Sequence, residues 1–286
     1  MVNLKPFDIL MWTVRRNEHD IVNMYDSLSP MMQITTNGDM LNFGYWDKHS
    51  STPFSAQTRL CDIVAELTEL DTTKTLIDVG SGLLGPAKKW EHDFPNTQII
   101  SININYSQLK NSNMSANGRI IRVNSTSRLL PFPNQSVDRV VALESAQHFK
   151  KLDEFISESK RILNSGGILV FAIPLVTEKI SAIKDLGILS LTWTSEHFTL
   201  NFLTSKIKNA GFKIEEVKMI GKNVYQPMAD YYLNNRKSIQ KNILTKYPGY
   251  VEKILFNSIK KMKQVSEDNV IDYCLLYTSP SPRDRG

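Results

Sequence analysis

The stretch Ile77-Asp78-Val79-Gly80-Ser81-Gly82-Leu83-Leu84-Gly85-Pro86 sets the spacing G-x-G-x-x-G directly after an apolar run, with a carboxylate two residues before the first glycine. Glycines so spaced let the backbone come close to a ligand and present N–H groups at the start of a helix. A dinucleotide would bring its pyrophosphate near Asp78, where like charge repels it, whereas a ligand ending in an ammonium would be attracted. Enzymes using a nicotinamide dinucleotide place an acidic residue about 20 positions further on to hold a ribose. Here that place falls to Asn103, which can still donate to and accept from sugar hydroxyls. Further along, Glu144 and His148 follow another apolar run. Imidazole is the residue type suited to base work near neutrality, though a lone histidine at such a place also commonly caps or packs a helix start.

The elements that must position these residues begin near residue 74. Runs at 75–79, 97–104, 119–124, 138–143, 167–173 and 212–220 read as strands, separated by helical patterns in PAKKWEHDF, SQLKNSNM, KLDEFISESKRIL and SEHFTLNFLTSKIKNA. This alternation is the signal of a parallel sheet covered by helices. Before it, helices are expected around 7–27 and 54–69, joined by a long polar and aromatic connection, a length that is usually functional or disordered. After it, 222–265 is helical in pattern and rich in Tyr, Asn and Lys. In an open α/β sheet ligands bind beyond the carboxyl ends of the strands, so both flanking regions read as lids for that edge.

The chain has 286 residues, 41% hydrophobic and 22% charged, enough for a full core. Its net charge of +5 suits anionic substrates but falls short of a nucleic-acid binder's basic stripe, and no nucleic acid is expected. There is no apolar run of membrane-spanning length and no leader pattern, which makes a cytoplasmic location the expectation. Cys61 and Cys274 have no metal-ligand spacing, and His19, His49, His92 and His197 have none among them, so no metal is expected. From Arg236 to Lys263, basic residues face only Glu252; a solvated helix face is the favoured reading over a dock for an acidic carrier, membrane or RNA. The last residues, CLLYTSPSPRDRG, resemble the translation of a sequencing adapter and are set apart as a non-native tail, although CLLYT is itself strand-like.

Taken in order, LNFGYWD (41–47) with AQ (56–57), IDVGSGLLGPA, ININYSQL (102–109), VNS (123–125), LPFPNQSVD (130–138), LESAQHF (143–149), LNSGGILVFAIP (163–174) and NAGF (209–212) resemble the motif series of class I S-adenosylmethionine-dependent methyltransferases. The similarity is to the small-molecule branch of the sugar, tocopherol and cyclopropane-synthase type and covers nearly all of 25–235. It implies a doubly wound, seven-stranded, mostly parallel sheet of Rossmann-like kind. An N-terminal helical lid (1–70), a cofactor-binding core (71–221), a cap insertion with the start of the final strand (222–273) and the tail (274–286) would make up the chain.

The resemblance further implies that Asp78, Gly80, Ser81 and Gly82 hold the methionine end of S-adenosylmethionine. Asn103, Ile104 and Gln108 would surround ribose and adenine, Asn124 would stand in for the family's Asp with Ser125 after it, and Tyr45 would close from the lid, with Phe43, Trp46 and Tyr25 beside it. Leu84 occupies a position where the family often has glycine, so its side chain must point away from the cofactor or narrow the pocket. Related O-methyltransferases carry a His-His pair after the Glu and an Asp ending the fifth strand; this chain has Glu144, Gln147 and His148, with Ile173 at the Asp position. Glu144 and His148 are the catalytic candidates. The acceptor is expected to be a small amine, activated carbon or phenolic oxygen rather than an unactivated sugar hydroxyl. A non-catalytic S-adenosylmethionine or nucleotide binding protein and a nicotinamide-dependent oxidoreductase are the alternatives. Oligomeric state is not legible.

Overall fold

The computed structural model describes residues 17–112, 118–177, 182–193 and 195–280. Its elements, in chain order, are α1 (Glu18–Thr36), α2 (Pro53–Leu67), β1 (Thr75–Val79), α3 (Gly85–Asp93), β2 (Gln98–Asn103), α4 (Tyr106–Asn111), β3 (Ile121–Asn124), β4 (Val137–Leu143), α5 (Leu152–Ile162), β5 (Leu163–Val176), α6 (Ala182–Leu186), α7 (Leu189–Thr192), α8 (Leu200–Asn209), β6 (Phe212–Met219), α9 (Tyr225–Ile243), α10 (Gly249–Glu267) and β7 (Ile271–Pro280). The sheet order is β3-β2-β1-β4-β5-β7-β6. β1 to β5 run parallel, and β7 enters antiparallel between β5 and β6. The expected doubly wound, mostly parallel sheet is what the chain forms.

Alternation along each strand feeds two apolar layers. Leu76, Val141 and Val170 pack with Leu60, Val64 and Trp90 on one face. Ile77, Val140 and Phe171 pack with Phe155, Ile156 and Leu203 on the other. α5 shows how the sequence fixes this: Leu152, Phe155, Ile156, Ser159 and Ile162 recur at helical spacing and are all buried. The strand order reverses between β1 and its two neighbours β2 and β4, and the crevice beyond their carboxyl ends is where ligands bind in such sheets.

The N-terminal lid departs from expectation. Residues 7–16 of the expected first helix lie outside the described residues, but the helix does not end at 27: α1 continues to Thr36 through Pro30 and closes at Asn37, whose φ is +57° and whose N–H bonds Gln33 O. Pro30 removes one N–H from the ladder, which is why the sequence reads as a stop there. The helix continues because α1 lies on the C-terminal cap: Tyr247 donates its hydroxyl to Ser27 O at 2.8 Å, and Met31 packs on the main core. Residues 274–280, set apart as a tail, form most of β7, with Cys274, Leu275, Leu276 and Thr278 buried. An apolar run suits a strand covered on both faces.

Candidate functional site

Two cavities meet beyond the carboxyl ends of β1, β2 and β4. The smaller, about 100 Å³, is lined by Asp78, Gly80, Ser81, Gly82, Asn103, Ile104, Gln108 and Glu144, with Ile21, Val22 and Tyr25 of α1 as its roof. The larger, about 270 Å³, lies under α1, α9 and α10 and is walled by Met24, Met31, Ile254, Leu255, Ile259 and Met262 among others. Tyr25, Leu41, Asn42, Glu144 and His148 line both. A third, open groove of about 390 Å³ runs on from Gly80, Asn103 and Ile104 past Ser125 and Arg128. Eight of the ten residues expected to hold the cofactor therefore border the small cavity or the groove continuing from it. Asn124 and Tyr45 border none of the three. The Asn124 amide is tied to Asn103 O at 2.8 Å and Ile104 O at 3.0 Å, and Tyr45 is held by its main chain, N–H to Ala56 O at 2.8 Å.

The glycine loop is shaped by backbone geometry. Gly80 has φ +80°, and a Cβ there would overlap the Ser145 side chain. Leu84 adopts φ +66°, the conformation that explains a glycine preference at this position. Its side chain is buried in the main core and borders neither cavity, so it points away from the binding loop. Asp78 is buried on β1, its Oδ2 has no partner among the described residues, and burial pushes its carboxyl up to about 7. Ser81 Oγ is likewise without a partner. A buried carboxylate lacking a counter-charge suits a ligand that brings a cation, so these residues fit the ammonium end of a methyl donor.

Glu144 joins three distant parts of the chain. Its backbone is left-handed, φ +49°, and its Oε1 accepts from Phe43 N–H at 2.8 Å and from the Tyr273 hydroxyl at 2.9 Å. Burial raises its pKa to about 8 even though both donors pull it down, so the carboxyl is mostly protonated at pH 7. Tyr25 Oη lies 2.8 Å from His148 Nε2, with the rings edge to face. Gln147 Nε2 donates to Glu144 O at 2.7 Å and stands 3.4 Å from the same imidazole nitrogen. With amide N–H and phenol O–H both facing Nε2, that nitrogen is assigned as the acceptor and Nδ1 as the protonated one.

The remaining sequence candidates pack rather than line the donor cavity. Phe43 packs against Trp193 in a tilted pair and against Tyr225 edge to face, at centroid distances of 5.9 and 5.7 Å, and Trp46 is buried against Tyr231 at 5.5 Å. Ile173 lies in the core layer on the opposite face; the β5 residue bordering the larger cavity is Pro174, so neither supplies a carboxylate. Of the basic run, Arg236 turns onto Glu252 at 2.9 Å and over the Phe256 ring at 3.4 Å. No group of three His, Cys, Asp or Glu suited to a metal occurs among the described residues, and none of the described helices is long and apolar enough to cross a membrane.

Sequence reasoning missed the way α1 is strapped over the crevice: Asn105 Nδ2 to Asp26 at 2.8 Å, Gln108 Nε2 to Ser29 Oγ at 2.9 Å and Thr126 Oγ1 to Glu18 at 2.7 Å. The polar residues after β2 and β3 were the available signal, but nothing in them names α1 as partner.

A family profile described as "Methyltransferase domain" matches residues 77–171. Erythromycin 3''-O-methyltransferase of Saccharopolyspora erythraea is 26% identical over 266 residues, 86% of either chain. The 27-O-demethylrifamycin SV methyltransferase of Amycolatopsis mediterranei is 30% identical over 156 residues, 53% of this chain and 57% of that one. Among solved structures, the [4+2]-cyclase SpnF superposes with a TM-score of 0.77 at 22% identity, covering 93% of this chain and 96% of the other.

Proposed function

We propose, from the premise that the chain is a class I S-adenosylmethionine-dependent methyltransferase acting on a small molecule, that its acceptor is bulky, mostly apolar, and methylated at an oxygen of phenolic or enolic kind. S-Adenosylmethionine is the methyl donor; when bound it supplies an electrophilic sulfonium methyl. Asp78 would hold its ammonium, the Gly80–Gly82 loop its methionine end, and Asn103, Ile104 and Gln108 its ribose and adenine. Residues 17–70, the described part of the N-terminal region, and 222–273 would act as the two lids over the 71–221 core. Displacement at a sulfonium carbon asks the protein mainly for alignment and exclusion of water.

The observation that carries the acceptor reading is the Tyr25–His148 pair at the junction of the two cavities. As the nucleophile's oxygen forms its bond to the methyl carbon, the C–S electron pair leaves with sulfur. The oxygen's proton passes to Tyr25 Oη while the Tyr25 proton passes to His148 Nε2, so the charge ends on the imidazolium. Glu144, mostly neutral, positions the lid residue Phe43 and the junction rather than accepting the proton. A neutral amine already carries the lone pair it needs and can shed its proton to solvent after transfer, so it makes least use of such a pair. With no carboxylate on β5 to stabilise an imidazolium, an already acidic oxygen is favoured over an aliphatic alcohol. Both relatives named above act, by their names, at an oxygen. Methyl transfer to 2-naphthol, decahydro-2-naphthol and 2-naphthylmethylamine tests this. The phenol should turn over fastest, and activity confined to the alcohol or the amine overturns it.

A further inference from the structure

The larger cavity carries an unbalanced set of polar groups. Asn42, Gln57 and Gln147 all line it, all are at least nine-tenths buried, and Asn42 Oδ1, Gln57 Oε1 and Gln147 Oε1 have no hydrogen-bond partner among the described residues. For the two glutamines the orientation is fixed. Gln57 Nε2 donates to Met40 O at 2.9 Å and Asn42 O at 2.7 Å, and Gln147 Nε2 donates to Glu144 O. Reversing either amide would set oxygen against carbonyl oxygen, so the carbonyl ends are the unfilled ones. Six hydroxyls on the same walls show the opposite state: those of Thr35, Thr36, Thr192, Tyr232 and Ser258 already donate within the protein, and that of Tyr25 is engaged with His148. Among the described residues, no Lys or Arg borders the cavity.

We infer that the cavity selects an acceptor that is uncharged or cationic and carries several hydroxyl or amino donors on an apolar body, and that Gln147 and Asn42 read those donors. Buried acceptors left unpaired discriminate strongly against an analogue that brings no donor, because the protein group then loses its only partner. An anionic acceptor would enter a wall without a Lys or Arg among the described residues to balance it. The inference rests on the reading above in placing the acceptor in this cavity, but not in which atom is methylated.

The test is calorimetric binding to the S-adenosylhomocysteine-saturated protein, where no transfer occurs. The probes share one body: 4-hexylresorcinol, its dimethyl ether, 4-hexylbenzylamine and 4-hexylbenzoate. The resorcinol and the amine should bind at least tenfold more tightly than the ether or the benzoate. Gln147→Met and Asn42→Leu should each reduce the resorcinol-to-ether ratio at least threefold; unchanged S-adenosylhomocysteine affinity in Gln147→Met, and an unchanged circular dichroism spectrum in Asn42→Leu, whose side chain also borders the donor cavity, show that the variants are folded. Ether or benzoate binding as tight as resorcinol binding, or an unchanged ratio in both variants, overturns the inference. Failure of the phenolic proposal would appear instead as tight resorcinol binding without turnover of any phenol.

Discussion

With Asp78 holding the cofactor's ammonium, as proposed, cofactor affinity should rise with pH through the neutral range while the stability of the free protein falls. In the free protein the Asp78 carboxyl titrates at about 7, since burial disfavours the ion and Oδ2 has no partner. Binding an ammonium requires the ionised form, so association below pH 7 must expel a proton. With a pKa of about 7 the population able to bind is about 3% at pH 5.5 and about half at pH 7, so affinity rises about 16-fold, or about 1.6 kcal/mol, between them. Above about pH 8 Asp78 is almost fully ionised and the gain levels off. Titration calorimetry with S-adenosylhomocysteine at both pH values, in buffers of different ionisation enthalpy, should show release of about one proton at pH 5.5 and the change in Kd. Asp78→Asn should weaken binding at pH 7 and abolish the proton release. The same raised pKa sets the sign for folding. Between about pH 4 and 7 the native state holds a proton the unfolded chain has lost, so stability contributed by protonation is present below that window and falls as pH rises through it. Asp78→Asn should therefore melt higher than the wild type at pH 8. A pH-independent Kd in the wild type, or proton release persisting in Asp78→Asn, would refute the reasoning.

His148→Ala should lower kcat about 10²- to 10⁴-fold with S-adenosylhomocysteine affinity unchanged, and Tyr25→Phe should lower it in the same sense; unaltered turnover in a rapid-quench assay counts against both. Glu144→Gln preserves an oxygen for Phe43 N–H and Tyr273 and should keep kcat within about threefold, whereas Glu144→Ala, leaving two donors unpaired, should cost about 1–3 kcal/mol by urea unfolding. Gly80→Ala puts a methyl against Ser145 at φ +80° and should abolish cofactor binding even where circular dichroism shows a folded chain. Leu84→Ala keeps the left-handed backbone and removes buried side chain, an expected loss of about 2–4 kcal/mol.

What could be read in the sequence was local. Five of the six expected strands fall within two residues of their place at both ends, because apolar runs between glycine and asparagine stops carry their own signal. β5 is the exception: it starts at Leu163, earlier than the run at 167–173 suggests, and runs on to Val176. The placing of Asp78 before its loop was legible for the same reason, since its strand and its loop are contiguous. What could not be read depends on contacts across the chain. Tyr25 and His148 are 123 residues apart, and Glu144 draws its two donors from positions 101 residues before it and 129 after. α1 runs past Pro30 because tertiary packing outweighs a local helix breaker, and no windowed pattern carries that information. The place of Ile173 in the far layer, with Pro174 at the cavity, is a question of strand register, which alternation alone leaves open by one residue.

The position of β7 has a consequence for how the molecule is assembled. It is not an edge strand added last to a finished sheet but an interior one: β6 touches the rest of the sheet only through it. During synthesis β6 and the exposed side of β5 must wait, unpaired, while α9, α10 and then residues 271–280 emerge. Tyr273, which holds Glu144, arrives with that strand. The contact on Glu144 is thus completed in the same event that closes the sheet, so a chain stalled before this step is aggregation-prone at its open strand edges and lacks one of the two donors to the Glu144 carboxyl.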